Sequence, residues 1–483
     1  MSLLVSTISC MFYLTLFVYC AFAVVKADIP LANSIDGWSY PGPKAVDNPT
    51  DVTNSTFQTV EIDPSILEEN RRHMYDYDRS MQHALWYLQK MASRFVSNDT
   101  LLTVMNKSIT PPSNDSHDYL TLATQPSANN NGYVDKNNDY SDNSTISNFA
   151  MFKDLVKHTQ FLSLAYYYFG NETFASKAVE RLHDWFVNPE TRMNPNMQYA
   201  ALVYGYNTGL ARGIVQLDTM PHLLDFIAIL QNSASWPEDM NARLRSWFSL
   251  YLDWLTNSPN GQYLAQEQED HGTRYYVQQL ALYRFLNMTD KAFQLANNIT
   301  HLIDQQFLPS GQQFHETGLA DPWSSSVDNL YSFFRLANMA RLQGVDMYGY
   351  KSQDGKSLRK GLDYLVTFAM NETQWPFNST IAATDQSSAF ANLVELTELA
   401  CVIYDNAYYS MVRDRLADAY GRPYNITRLM LPWSAFGESH GEAMQSGACT
   451  AVSWSFSNKR FIFSLAMFLF WLTNFFESFH FLE

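Results

Sequence analysis

Apolar residues recur at helical spacing through most of the chain from residue 149 onward. Leu244, Trp247, Phe248, Tyr251 and Leu252 follow the i, i+3, i+4, i+7, i+8 rule that places side chains on one helix face. The two-residue alternation typical of strands is almost absent. The pattern therefore predicts an all-α domain. Its further predicted helices cover 70–96, 151–169, 173–186, 274–287, 289–306, 327–343, 357–370, 385–404 and 405–420.

Glycine, proline and asparagine mark the breaks between these helices. Gly170-Asn171, Pro189 and Pro309-Ser310-Gly311 each follow a periodic segment and are typical of helix ends. Ten or more helices joined by short turns, with no fixed repeat length, predict packed antiparallel helix pairs. Periodicity alone leaves a toroid, a solenoid and a bundle open.

The first residues predict export from the cell. Residues 11–25 are apolar and end in small residues near Ala23 and Ala27, which indicates a signal peptide over 1–27. An N-terminal membrane anchor is the alternative. Asn-x-Ser/Thr sequons, each a glycan acceptor on an exported protein, support secretion. They begin at Asn54, Asn98, Asn106, Asn114, Asn143, Asn171, Asn287, Asn298, Asn371, Asn378 and Asn425.

The last residues form a second apolar run, at 461–476, after Lys459-Arg460. The small residues Ser446-Gly447-Ala448 and a polar spacer precede it, an order that resembles a GPI signal. A membrane-spanning anchor and an incorrect gene end are the alternatives. One disulfide, between Cys401 and Cys449, competes with a GPI cut near Ser446, which would remove Cys449.

The predicted organisation is a signal peptide at 1–27, an N-terminal extension at 28–69, a helical domain at 70–440 and a tail at 441–483. Within the domain, the polar stretch 106–148 predicts a long loop or an insertion. The net charge of −16 argues against nucleic acid as a partner. The cysteine spacing fits no zinc site, so neither a metal nor another cofactor is expected.

Four segments carry a resemblance to a known family. They read HDYLTLA at 117–123, PETRMNPNMQYA at 189–200, RGIVQLDT at 212–219 and DHGTRY at 270–275. Together they resemble the alginate lyase domain family over about residues 115–440. The resemblance implies an (α/α) toroid, an incomplete barrel of antiparallel helix pairs.

The resemblance also implies β-elimination on a polyuronate such as alginate or glucuronan. A base removes the C5 proton beside the carboxylate, and an acid protonates the leaving oxygen. His271 matches the family's catalytic histidine, and Tyr275 follows it by one helical turn. The matched segments also imply substrate contacts from Asn194, Gln198, Asn207, Arg212 and Asp270, although turn-making roles remain open for residues such as Asn194.

Three positions depart from the family pattern. Asp270 stands where the family has a neutral asparagine, Asp321 where it has an arginine, and Ser325 where it has the catalytic tyrosine. An ionised Asp270 would repel a uronate carboxylate at short range. Loss of the tyrosine would remove the proton donor.

Three hypotheses therefore stay open. The first is a lyase for an uncommon uronate glycan, with His271 as base and a relocated tyrosine as acid. The second is a degenerate toroid that binds glycan at a cell surface, and the third is hydrolysis by two carboxylates. The candidate tyrosines are Tyr275, Tyr276 and Tyr331, and the candidate carboxylates are Glu267, Glu269, Asp270 and Asp321.

Overall fold

The structure is a computed structural model that divides into two units, Met1–Asn48 and Pro49–Glu483. In the first unit, strands β1 (Ser34–Ile35) and β2 (Trp38–Ser39) pair antiparallel. The predicted signal peptide, the tail 441–483 and most of the insertion lie outside the described residues. Those residues are 34–35, 38–39, 57–75, 79–123, 148–203, 205–370, 374–377, 387–404, 407–420 and 426–431.

The second unit is built from helices throughout its described part, which confirms the all-α prediction. The helices are α1 Pro64–Arg72, α2 Arg79–Val96, α3 Asn148–Phe169, α4 Glu172–Phe186, α5 Met220–Leu230, α6 Met240–Asn257, α7 Pro259–Leu264, α8 Asp270–Phe285, α9 Thr289–Asn298, α10 His301–Gln306, α11 Pro322–Arg341, α12 Leu358–Ala369, α13 Ser387–Ile403 and α14 Ala407–Tyr420.

Two of these helices begin earlier than the apolar pattern predicts. Helix α8 starts at Asp270, so His271 lies within its first turn instead of before it. Helix α11 starts at Pro322, because the Asp321 side chain accepts the Ser324 N–H and proline is tolerated in the first turn. Polar first turns carry no apolar periodicity, so the sequence places these starts too late.

One short parallel pair of strands lies beside the helices. Strand β3 (Leu120–Leu122) pairs with β4 (Tyr199–Leu202), with Leu120 opposite Tyr199. Strand β3 falls inside the predicted insertion 106–148, so part of that stretch packs against the helical unit.

Helices α8, α11 and α13 run in the same direction. Near their starts, Arg274 of α8 and Asn392 of α13 both approach Asp328 of α11. Near the opposite ends, Arg284 of α8 and Asn338 of α11 both donate hydrogen bonds to backbone oxygens within residues 59–61. We call the first side the cleft end and residues 57–63 the axial segment.

The axial segment is held inside the fold by charged side chains. The Asp225 carboxylate accepts the backbone N–H groups of Val60, Glu61 and Ile62. Arg335 binds both oxygens of the Glu61 carboxylate, at 2.6 and 2.9 Å. The folded unit thus includes residues that the sequence analysis assigned to the extension 28–69, whose polar composition resembles that of a loop.

Aromatic side chains at helical spacing, among them Trp247 and Phe248, pack into the core. Phe186 contacts Trp247 and Phe248, and Phe248 contacts Phe285, each pair with ring centroids within 5.2 Å. In the described part of the chain, the stretch Ala211–Leu230 is apolar and long enough to span a bilayer. It is mostly buried among other helices, which is the behaviour of a core helix.

Candidate active site

The first two motif segments interlock through side-chain hydrogen bonds. The ring nitrogen Nδ1 of His117 lies 2.6 Å from the Arg192 carbonyl oxygen. Asn194 donates from Nδ2 to carboxylate oxygens of Asp115 and Asp118, both at 2.8 Å. These contacts give Asn194 a structural role, in which it joins the two segments.

The other two segments join the same assembly. Tyr119 and Thr121 both donate to the side-chain oxygen of Gln216, each at 2.9 Å. Asp218, near the end of the third segment, accepts a 2.9 Å hydrogen bond from Arg274. The four segments thus form one connected structure at the cleft end.

His271 is positioned by its neighbour Glu269. Its Nδ1 lies 2.9 Å from a Glu269 carboxylate oxygen, and its side chain is 16% exposed. A ring whose Nδ1–H donates to a carboxylate carries its lone pair on Nε2, the atom a general base uses. Burial disfavours the imidazolium, but the Glu269 hydrogen bond and the charges of Asp270 and Glu269 outweigh it, so the pKa of His271 is raised. The hydrogen bond from His271 lowers the pKa of Glu269 in turn.

Arg274 lies in a ring of carboxylates one turn along α8. Its Nε binds Asp270 at 2.8 Å, one guanidinium nitrogen binds Asp218 at 2.9 Å, and the other lies 3.9 Å from Asp328. Burial raises the pKa of Asp328 to about 6, although Arg274 opposes that shift. Three carboxylates already neutralise this guanidinium, so Arg274 has no net positive charge left for an anionic substrate.

Glu316 adds a further carboxyl beneath the site. One of its oxygens accepts the Asp270 backbone N–H at 2.8 Å, an otherwise unsatisfied donor at the start of α8. Within the described residues its other oxygen is buried without a hydrogen-bond partner. Burial, with the nearby Asp270 charge, raises the pKa of Glu316 well above its usual range. The surroundings of Glu316 therefore favour its neutral form.

Sequence comparison gives the family. A sequence model of the alginate lyase family matches residues 103–375, which include every residue of the site. The chain belongs to the alginate lyase family. No match is found among curated proteins.

Solved structures of family members share the fold. An alginate lyase from Bacteroides ovatus superposes with a TM-score of 0.70 at 22% identity, covering 77% of this chain and 98% of that one. Alginate lyase A1-III from Sphingomonas species A1 superposes with a TM-score of 0.49 at 14% identity, covering 77% of this chain and 97% of that one. The first likeness confirms the helical toroid.

The tyrosines predicted as replacement acids are largely engaged within the protein. Tyr275 is 3% exposed and packs against Tyr276, and burial raises its pKa. Tyr276 donates its hydroxyl to the Ala265 carbonyl, and Tyr331 donates to Glu395 at 3.0 Å. The acid role of Tyr275 stays a prediction, but little of its surface remains for substrate.

Of the two remaining departures from the family pattern, helix capping explains Asp321 but not Ser325. Asp321 caps α11 with its side chain, and the Ser325 backbone N–H binds the Asp321 carbonyl oxygen. The family's arginine position thus serves here to start a helix.

The other predicted substrate contacts lie around the loop that follows β4. Gln198 donates to the Thr208 hydroxyl at 2.7 Å, and the neighbouring Asn207 is exposed. Arg212 is half-buried in the turn that follows. These positions keep their predicted roles untested.

Two exposed aromatic residues beside the His271–Glu269 pair were missed. Tyr263 is 61% exposed, and its pKa is raised by a hydrogen bond to Glu267 and by the charges of Glu267 and Glu269. Phe314 is 60% exposed and precedes His315, whose charge acts on Glu269. Neither lies in a matched segment, and only proximity in the fold identifies them.

Proposed function

We propose that this chain is an extracellular polysaccharide lyase that uses His271 as its base. The observation that carries the proposal is the 2.9 Å pair between His271 Nδ1 and Glu269, placed in the first turn of α8 at the cleft end. A histidine oriented by a carboxylate is a common arrangement for proton abstraction near neutral pH.

In the proposed reaction the base is Nε2 of His271, a buried atom that the substrate must uncover to reach. This atom takes the C5 proton, the electron pair forms the C4–C5 double bond, and the C4–O glycosidic bond breaks. Glu269 stabilises the imidazolium that results. When the C5 proton and the leaving oxygen lie on one face of the sugar, the same imidazolium returns its proton to that oxygen. This route requires no separate tyrosine.

The charge of the site selects the substrate. Asp270, Asp218 and Asp328 surround Arg274, and Glu269 lies beside His271, so a free uronate carboxylate meets net negative charge. A uronate ester carries no charge there, and its C5 proton is more acidic because the enolate does not add a second charge to a carboxylate. The proposed substrate is therefore an esterified or otherwise neutral uronyl glycan.

Extracellular location is part of the proposal. Glycans require surface positions, and most described sequon asparagines are exposed, whereas Asn98 is half-buried. The exposed ones are Asn106, Asn114, Asn171, Asn287 and Asn298. Attachment to the cell surface through the C-terminal tail, by a GPI anchor or a membrane span, remains proposed from the sequence.

A glycan-binding protein without activity is the second candidate. It is favoured by Asp321 and Ser325 at the family's arginine and tyrosine positions and by the engaged hydroxyls of Tyr276 and Tyr331. The exposed rings of Tyr263 and Phe314 would serve glycan binding in either case. Hydrolysis is less favoured, because Glu269, Asp270 and Asp321 are already committed to protein partners.

The test is ultraviolet absorbance of the unsaturated product. Purified protein is incubated with polymannuronate, polyguluronate, glucuronan and a methyl-esterified polyuronate. We expect absorbance to rise, to vanish in His271→Ala and to persist in His301→Ala, a control at the exposed start of α10. Bound glycan without absorbance would establish the second candidate, and new reducing ends without absorbance would establish hydrolysis.

A further inference from the structure

A cavity of about 580 Å³ lies near the C-terminal ends of helices α11 and α13, away from His271 at the cleft end. It is enclosed by the C-terminal halves of α11 and α13 and by the axial segment. Of the residues considered for the lyase site, its lining includes Tyr331 alone, whose hydroxyl donates to Glu395. The ion pairs of Asp218 and Glu61 with arginines separate the two regions.

The walls of the cavity are mostly apolar. Phe334, Leu399 and Val402 contribute aliphatic and aromatic surface. The rings of Tyr348 and Tyr404 meet edge to face, with centroids 6.4 Å apart. Pockets of this size and composition are typical of sites for small organic molecules.

Most charged groups on the walls already have partners. Arg335 binds both oxygens of Glu61, and Arg341 binds Asp63 at 3.0 Å. Asp346 accepts the Gly349 backbone N–H at 2.9 Å. These contacts leave the two arginines neutralised, so the cavity does not present a free positive charge.

Glu395, unlike the exposed Asp346, is a half-buried carboxyl without an ion-pair partner among the described residues that line the cavity. The one hydrogen bond its carboxyl makes with them comes from the neutral Tyr331 hydroxyl, at 3.0 Å. Its side chain stays partly accessible although it lies deep in the protein, because that surface faces the cavity.

The surroundings of Glu395 set its ionisation. Burial raises its pKa to about 7, and the Glu61 charge adds to that effect, while the Tyr331 hydrogen bond and the Arg335 charge oppose it. His222 of α5 also lines the cavity, and burial lowers its pKa, so it is neutral at pH 7. A cationic ligand would supply the counter-charge that the protein does not give Glu395.

We propose that this cavity binds a small organic cation, an ammonium group that carries an apolar chain or ring. The ammonium donates to the accessible oxygen of Glu395 and lies against the faces of Tyr348 or Tyr404, where cation–π attraction adds to the ion pair. The apolar part occupies the space beside Phe334 and Leu399. This site is separate from the proposed lyase site and does not depend on lyase activity.

Calorimetric titration of the full-length protein tests the proposal, with 2-phenylethylammonium as the probe and neutral 2-phenylethanol as its isostere. At pH 8 we expect the cation to bind at least about tenfold more tightly than the alcohol. Glu395→Gln keeps the shape of the side chain. It should weaken the binding of the cation by about 10- to 100-fold and leave the affinity for the alcohol unchanged. Asp290→Asn, a control that removes an exposed carboxylate outside the cavity, should change the affinity for neither probe by more than about twofold.

Acidification provides a second readout. At pH 6, one unit below the pKa of about 7, most Glu395 carboxyls are protonated, so the affinity for the cation should fall about tenfold. Equal binding of cation and alcohol, unchanged affinity in Glu395→Gln, or binding of neither probe would overturn the proposal. Loss of binding in His271→Ala would place the probe in the lyase site and would also overturn it.

Discussion

Removal of one partner from the ion pair between Glu61 and Arg335 should be among the most destabilising single substitutions in the fold. Both side chains are 7% exposed, and the carboxylate receives two hydrogen bonds from the guanidinium. Removal of one partner from such a pair leaves a buried charge unpaired, which costs about 3–5 kcal/mol. For a unit of several hundred residues, that corresponds to a fall in Tm of about 4–6 °C.

The assay is thermal unfolding of Glu61→Gln, followed by circular dichroism. The matched control is Asp63→Asn, which removes the partner of the exposed Arg341 but keeps a good helix cap, and should cost less than about 1 kcal/mol. The double variant Glu61→Leu with Arg335→Met should recover most of the lost stability, because it leaves no unpaired charge. Equal Tm values for Glu61→Gln and Asp63→Asn would refute the reasoning.

The contribution of Glu61 to the stability of the fold should depend on pH. Burial opposes ionisation of Glu61, but Arg335 outweighs it, so the pKa of Glu61 is lowered. A lowered pKa in the folded state means that this contribution to stability is complete above the unfolded pKa and is lost as pH falls through the folded value. The difference in Tm between wild type and Glu61→Gln should therefore shrink in acid.

Three further predictions concern the cleft end. In Glu269→Gln the pKa of His271 should fall, because the ion pair that raises it is gone. The acidic limb of the pH–rate profile should therefore move to lower pH. An acidic limb that does not move would argue against His271 as the base. Asp270→Asn should raise the rate on free polyuronate roughly tenfold, because it removes one repulsive charge. The rate is measured as product absorbance. An unchanged preference between free and esterified polyuronate would show that this charge does not select the substrate. Asn194→Ala should lower the free energy of unfolding by about 1.5–3 kcal/mol, because the hydrogen bonds to Asp115 and Asp118 are lost. The KM of this variant should stay nearly unchanged. A large rise in KM at full stability would instead identify Asn194 as a substrate contact.

The helical fold was predictable because it rests on a local, repeated signal. Apolar side chains at helical spacing, such as Leu244 and Trp247, are also the ones the core buries. The axial segment was not predictable, because its polar composition indicates a loop. Only the distant partners Asp225, Arg284 and Arg335 make that burial favourable.

The site was predictable only in part, for a related reason. The motif around His271 predicted the base, and the sequence showed that Asp270 departs from the family pattern. The sequence could not show that Arg274 is shared between Asp270, Asp218 and Asp328, or that Glu316 lies beneath Asp270, since most of those partners come from separate segments. Charges that pair across the fold leave no mark at a fixed spacing in the chain.

The central claim is that His271 eliminates across a uronyl glycan whose carboxyl group is neutral. The most direct measurement compares initial rates of product absorbance on a methyl-esterified polyuronate and on the same polymer after de-esterification. The account predicts a rate at least about tenfold higher on the ester, and none in His271→Ala. A higher rate on the free acid, or activity that survives His271→Ala, would contradict it.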